Sequence, residues 1–412
     1  MAARCFALAL AAFFAACGPS SVHDRNGDGG HGSGSGTNPD DPDGDGFTAA
    51  DGDCCQDTSQ CSNPALVNPG AFDVPGNGVD DDCDGKVDES EGPCDMGLAS
   101  NTTNAMDFAK SIELCQTTTM AERTWGVIEA KLLLADGTGS PNANQHSIRP
   151  TFGMTKVQAG QSFAVLSSGT AAATGQTNPS PMPFDPGYQP GTSSGFPMDW
   201  YNANGNKLPN APGCPAPNPL SSANDPVMLQ LKVRVPTNAS SFKLSVNFMS
   251  AEFPEYVCSP FNDFFVVLLD SSYNGSPANP MDKNLAFYTS PSMQNYPVGV
   301  NLAYGNTGLF QECKNGTTGC TFGATAGSIS TCKNTTELTG TGMDTVDGAC
   351  SPGDLMGGGT GWLVTSGNVV GGEIITLRIA IWDTSDEMLD SLAIVDNFQW
   401  QLGASQPGTV IQ

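Results

Sequence analysis

The stretches MLQLKVRV (228–235) and FKLSVNFM (242–249) decide the fold class. In the first, Leu229, Leu231, Val233 and Val235 alternate with Gln230, Lys232 and Arg234; in the second, Phe242, Leu244, Val246 and Phe248 alternate with Lys243, Ser245 and Asn247. A period of two sends one set to a buried face and the other toward solvent, as in a half-buried antiparallel strand. FFVVLL (264–269) is apolar on both faces and suits a central strand. Residues 373–382 repeat the alternation with Ile375, Leu377, Ile379 and Ile381, and a last strand is expected near 392–400. Such strands pack sheet on sheet. The expected fold is therefore mainly β: an antiparallel β-sandwich, jelly-roll-like, with long cysteine-bearing loops between 305 and 360. MAERTWGVIEAKLLLA (120–135) fits a helix through positions 125, 128, 132 and 133 and fits a strand over 127–134; the pattern leaves both open. Residues 170–225 are rich in Pro, Gly, Ser, Thr and Asn, and their Tyr188, Trp200 and Tyr201 read as staples onto the sandwich rather than platforms for sugar rings.

Composition agrees. The 412 residues include 49 Gly and 30 Pro with 38% apolar residues, which argues for turns and short strands over helices. Acidic residues outnumber basic ones 42 to 16, a net charge of −26, so a nucleic-acid partner is excluded by sign. Of 14 cysteines, Cys5 and Cys17 belong to the N-terminal segment. The remaining twelve fall in local groups: 54, 55, 61, 83; 94, 115; 214, 258; and 313, 320, 332, 350. Oxidised pairing outside the cytoplasm is the expectation, with connectivity open. Structural zinc is disfavoured, because no group has tight Cys-x-x-Cys spacing and His23, His31 and His146 are scattered. His146 lies in a polar stretch, NANQHSIRP (142–150), and reads as a surface residue.

Residues 1–17, MAARCFALALAAFFAAC, place Arg4 before an apolar run from Cys5 to Ala16, too short to remain as a membrane span. This is a secretion signal, residues 1–16, and it resembles the bacterial lipoprotein signal with Phe14-Ala15-Ala16-Cys17 as its lipobox. The resemblance implies lipidation at Cys17 and attachment to the bacterial outer membrane, on its periplasmic or outer face. Residues 17–39 are small and polar and read as a flexible tether.

An acidic module follows over 40–93. Between residues 18 and 94, 17 acidic residues face two basic ones, Arg25 and Lys86. Asp41, Asp43 and Asp45 alternate before Gly46, with Asp51 and Asp53 downstream; Asp80, Asp82 and Asp84 alternate before Gly85, with Asp88 and Glu89 downstream. Carboxylates at positions 1, 3 and 5 of a tight loop, with Gly at 6, converge on a hard cation, and the next backbone carbonyl (Phe47 or Lys86) adds an oxygen. Ca²⁺ suits so many flexible oxygen ligands. Neither loop has long flanking helices, so they are EF-like rather than EF-hands. Phe47, Val79 and Val87 offer small apolar anchors. The alternative, a solvated acidic linker, leaves the repeated spacing unexplained. The pattern DGDGFTAADGDC (43–54), PGA (69–71) and NGVDDDCDGKVDE (77–89) resembles the metal-binding repeat named for a methanotroph surface copper protein. That resemblance implies a Cys54–Cys83 bridge; Cys55 and Cys61 depart from its simple pattern, either pairing with each other or forming a local elaboration. Copper does not carry over, since no His or Met cluster accompanies the motif.

The large domain, 94–401, is followed by a tail, 402–412. FMSAEFPEYVCSPFNDFF (248–265), SFAVLSSGTA (162–171) and IAIWDTSDEMLDSLA (379–393) resemble the bacterial choice-of-anchor L family, exported proteins of unassigned molecular function. Glu252, Glu255, Asn262, Asp263, Asp383, Asp386, Asp390 and Ser391 sit at expected strand edges and turns, where they form either a second cation site or loop caps. Glu252 with Asp383 is the least weak catalytic pair, as in a glycan hydrolase. No P-loop, dinucleotide fingerprint, HExxH or GxSxG elbow occurs. The expectation is a non-enzymatic, calcium-stabilised surface protein with a structural or adhesive role, contacting glycan or matrix protein.

Overall fold

The structure is a computed structural model that describes residues 38–89, 92–216, 222–321 and 326–412. The secretion signal, Cys17 and nearly all of the tether lie outside the described residues. Eleven strands build two antiparallel sheets. They are β1 (Gly126–Leu133), β2 (His146–Arg149), β3 (Phe163–Ser167), β4 (Ser193–Ser194), β5 (Ala223–Arg234), β6 (Ser241–Ser250), β7 (Phe264–Asp270), β8 (Gly358–Asn368), β9 (Ile374–Asp383), β10 (Ser391–Gln401) and β11 (Gly408–Ile411). The first sheet runs β1-β5-β9-β7 with β4 against β5; the second runs β11-β8-β6-β10-β3-β2.

The alternating residues do what their period requires. Leu229, Leu231 and Val233 of β5, Ile375, Leu377 and Ile379 of β9, and Phe242, Leu244, Val246 and Phe248 of β6 are buried in one core shared by the two sheets. Both outer faces are covered as well. Trp200, on the short helix Met198–Ala203, packs edge-on against Phe264 and Trp382 on the outside of the first sheet. Phe152, Phe184, Leu338 and Met343 from long loops cover Val165, Met249 and Ile394 on the second. Trp200 is fully buried, and the Tyr188 hydroxyl accepts from Asn144 Nδ2 at 3.1 Å, so these aromatics hold the chain around 188–201 down.

Three placements differ from the sequence reading, and one settles an alternative that it left open. FFVVLL is buried on both faces yet ends its sheet, because the segment 283–285 rather than another long strand covers its outer edge. The ambiguous 120–135 segment is strand β1, paired along β5 with a bulge between Val127 and Glu129 that blurs its alternation. The tail contributes β11, whose Thr409 hydroxyl meets that of Thr365 on β8 at 2.9 Å. His146 is buried, 3% exposed, with Phe108 edge-on to its ring at 5.5 Å, because β2 pairs with β3 and is covered by the helix Ala105–Lys110.

All twelve described cysteines are bridged: Cys54–Cys83, Cys55–Cys61, Cys94–Cys115, Cys214–Cys258, Cys313–Cys332 and Cys320–Cys350. The last two brace the 305–360 loops.

Candidate metal centre

The acidic module has little apolar content to fold around. Phe47, Cys55, Val67 and Ala71 are buried, whereas Val87 is 55% exposed and anchors nothing. It docks on the sandwich instead. The Arg123 guanidinium lies 3.9 Å from the Phe47 ring centroid and donates to the Gly46 carbonyl. Asn238 exchanges two hydrogen bonds with the Phe72 backbone, and Thr237 Oγ1 donates to Asn68 Oδ1 at 2.7 Å. Gly70 sits where a Cβ would come within 2.9 Å of Thr237 and 3.0 Å of Phe47, so only glycine allows this approach.

Both loops form the expected turns. Gly46 and Gly85 have φ of 93° and 92°, conformations that side-chain-bearing residues rarely adopt. Asp41 Oδ1 accepts from Gly44 N at 2.9 Å, and Asp45 Oδ1 from Phe47 N at 2.7 Å. Oxygens of Asp41, Asp43 and Asp45 lie within 4.8 Å of one another. Both Asp43 oxygens and Asp45 Oδ2 are shielded from solvent and make no hydrogen bond. Burial, reinforced by the charges of Asp43 and Asp53, pushes Asp45 up to about 6. Burial raises Asp43 and Asp53 too.

In the second loop Asp80, Asp82 and Asp84 converge equally closely, but backbone amides satisfy much of that set: Asp80 accepts from Asp84 N and Gly85 N, and Asp84 from Lys86 N. The Lys86 ammonium lies 2.5 Å from Asp84 Oδ2. A further group joins Asp82 and Glu89 to Asp73, which the motif spacing does not include. Asp73 Oδ2 and Glu89 Oε2 have no N–H or hydroxyl donor, and contact with the Asp73 carboxyl pushes Glu89 up to about 7. Three expected ligands have other work. Asp51 closes a capping box with Thr48, and Asp88 accepts from the amides of Asn77 and Gly78. Asp53 Oδ1 accepts from Cys55 N at 2.9 Å, and its Oδ2 from the Gln56 amide. The Cys54–Cys83 bridge ties the loops together.

Residues 62–89 match a family model described as "Putative metal-binding motif". No curated protein and no solved structure matches the chain. The three convergent groups contain carboxylates alone, a donor set for a hard cation rather than for copper.

The large-domain candidates separate. Asp263, Asp383, Asp390 and Ser391 come together where the two sheets end, with Ser391 Oγ donating to Asp263 Oδ2 at 2.6 Å. Asp225, absent from the sequence reading, joins them. Glu252 adjoins Asp263 and Asp386, and burial first, then their charges, raises it well above the ordinary range. Glu255 faces Asp347 instead and is pushed up to about 8, mainly by burial. Asn262 accepts from Asn301 N, and Asp386 from Met388 N, as turn-forming residues do. Glu252 and Asp383 are 1% and 0% exposed, whereas a polysaccharide needs carboxyls open to a cleft.

Proposed function

We propose that the chain is an exported, lipid-anchored protein of the bacterial outer membrane whose acidic module binds calcium and thereby fixes itself against a disulfide-braced β-sandwich of structural or adhesive role. The observation that carries the calcium reading is Asp43, whose two shielded oxygens have no donor and lie beside Asp41 and Asp45. Carboxylates crowded this way repel one another until a cation joins them, so binding and ordering of the loops are coupled. When bound, calcium would supply positive charge to oxygens of Asp41, Asp43 and Asp45 in the EF-like first loop, and to those of Asp73, Asp82 and Glu89 in the second. Six bridges among the described residues suit an oxidising compartment. The lipoprotein-type signal ending at Cys17, and the likeness of the large domain to the choice-of-anchor L family, support the surface setting.

Calorimetric titration of the full chain with calcium, followed by limited proteolysis, tests the module. Heat of binding and protection of residues 40–91 are expected; neither heat nor protection would reduce the module to a charged spacer. Radiolabelled palmitate fed to expressing cells tests the anchor: the wild-type chain takes up label and Cys17→Ser does not.

A further inference from the structure

Four aspartates are buried where strand ends of both sheets meet. Asp225 lies in β5, Asp263 immediately precedes β7, Asp383 ends β9 and Asp390 immediately precedes β10. Each is at most 1% exposed. None takes part in an ion pair among the described residues, and the charges acting on Asp383 are those of Asp263, Asp390 and Asp225. Their hydrogen bonds account for only half of the oxygens. Asp263 accepts from Ser391 Oγ and Thr384 N, Asp390 Oδ2 from Tyr188 N, and Asp225 Oδ1 from Thr192. Asp390 Oδ1, Asp225 Oδ2 and both oxygens of Asp383 make none.

Buried carboxylates survive by pairing with a cation or by sharing protons. Sharing would place one carboxyl hydroxyl in hydrogen-bond contact with the next carboxylate. The Asp263 and Asp383 carboxyls are close enough to share one proton, but that leaves Asp225 and Asp390 without compensation, with Asp225 Oδ2 and Asp390 Oδ1 lacking any donor. The backbone also leaves space for the set: a Cβ on Gly169 would sit 1.7 Å from Asp390 Oδ2, and one on Gly187, at φ 106°, 2.9 Å from Asp390 Oδ1. We propose that Asp225, Asp263, Asp383 and Asp390 hold a divalent cation of the hard, oxygen-seeking class, calcium foremost, inside the sandwich and independent of the acidic module. Such an ion joins the ends of three strands of one sheet to the start of β10 in the other.

Native mass spectrometry of the full chain loaded with calcium and then desalted tests this. The comparison uses a module variant (Asp43→Asn, Asp45→Asn, Asp82→Asn) with and without Asp383→Asn. The module variant is expected to keep about one equivalent per chain, which Asp383→Asn removes. A module variant that keeps none, while the unaltered chain binds calcium, overturns the sandwich site and leaves the module reading intact. Equal binding by the unaltered chain and the module variant does the reverse. Should Asp383→Asn fail to fold, crystals of the unaltered chain soaked in terbium decide: an anomalous peak against Asp383 and Asp390 supports the site, and its absence there overturns it.

Discussion

Asp43 and His146 are both deprived of solvent, and each makes a prediction of opposite kind. With calcium present, Asp43→Asn should weaken binding by roughly tenfold or more, about 1.4 kcal/mol. In chelator the same change should raise the melting temperature, because it removes a charge that crowds Asp41, Asp45 and Asp53. Calorimetry and thermal melts check the two signs, and a loss of stability in both conditions would mean that Asp43 has an ordinary packing role. His146 is lowered by burial to about 4, from an ordinary value of 6.5. Between those values the unfolded chain binds the extra proton, so this residue's stabilising contribution is complete above about 6.5 and declines as pH falls toward 4. The loss amounts to roughly 3 kcal/mol at most. Denaturant melts at pH 4.5 and 7 should show a smaller acid-side loss in His146→Gln than in the wild-type chain; parallel losses would show that His146 carries its proton when folded.

Among elements, the docked turn around Gly70 and the covering helix around Trp200 concentrate the packing consequences. Gly70→Ala forces a methyl against Thr237 and Phe47. It should cost about 1–3 kcal/mol and release the module to protease before the sandwich unfolds. Trp200→Ala empties a fully buried site between Phe264 and Trp382 and should cost about 3–5 kcal/mol, read as a lowered denaturation midpoint. The strands themselves were legible because alternation of apolar residues is a local property: β5, β6, β9 and β10 fall where Leu229–Val233, Phe242–Phe248, Ile375–Ile381 and 392–400 place them. Neighbours were not legible. Phe264–Leu269 looks central because both faces are covered, yet one face meets Trp200 and its helix rather than a sheet. His146 looked exposed because its sequence neighbours are polar, although Phe108, distant in sequence, closes over it.

For the whole molecule, the Cys54–Cys83 bridge is the covalent tie between two loops that would otherwise be joined only through 29 residues of chain. Replacing both cysteines by serine should cost roughly 3–4 kcal/mol of chain-entropy stabilisation and weaken calcium binding, which titration of the double variant measures. The same distinction between local and distant explains which metal-site residues could be read. Asp41, Asp43 and Asp45 share one turn, so their spacing announces them. Asp73 joins Asp82 and Glu89 through folding of the intervening chain, and Asp225 reaches Asp383 across a strand pair with no spacing to betray it. Both sheets also depend on late-arriving chain: β9 lies between β5 and β7, and β10 between β6 and β3. A growing polypeptide that has not yet delivered residues 374–401 therefore cannot close either layer. Until then β5 and β7, like β6 and β3, lack the strand that joins them, so both layers are completed only near the end of synthesis.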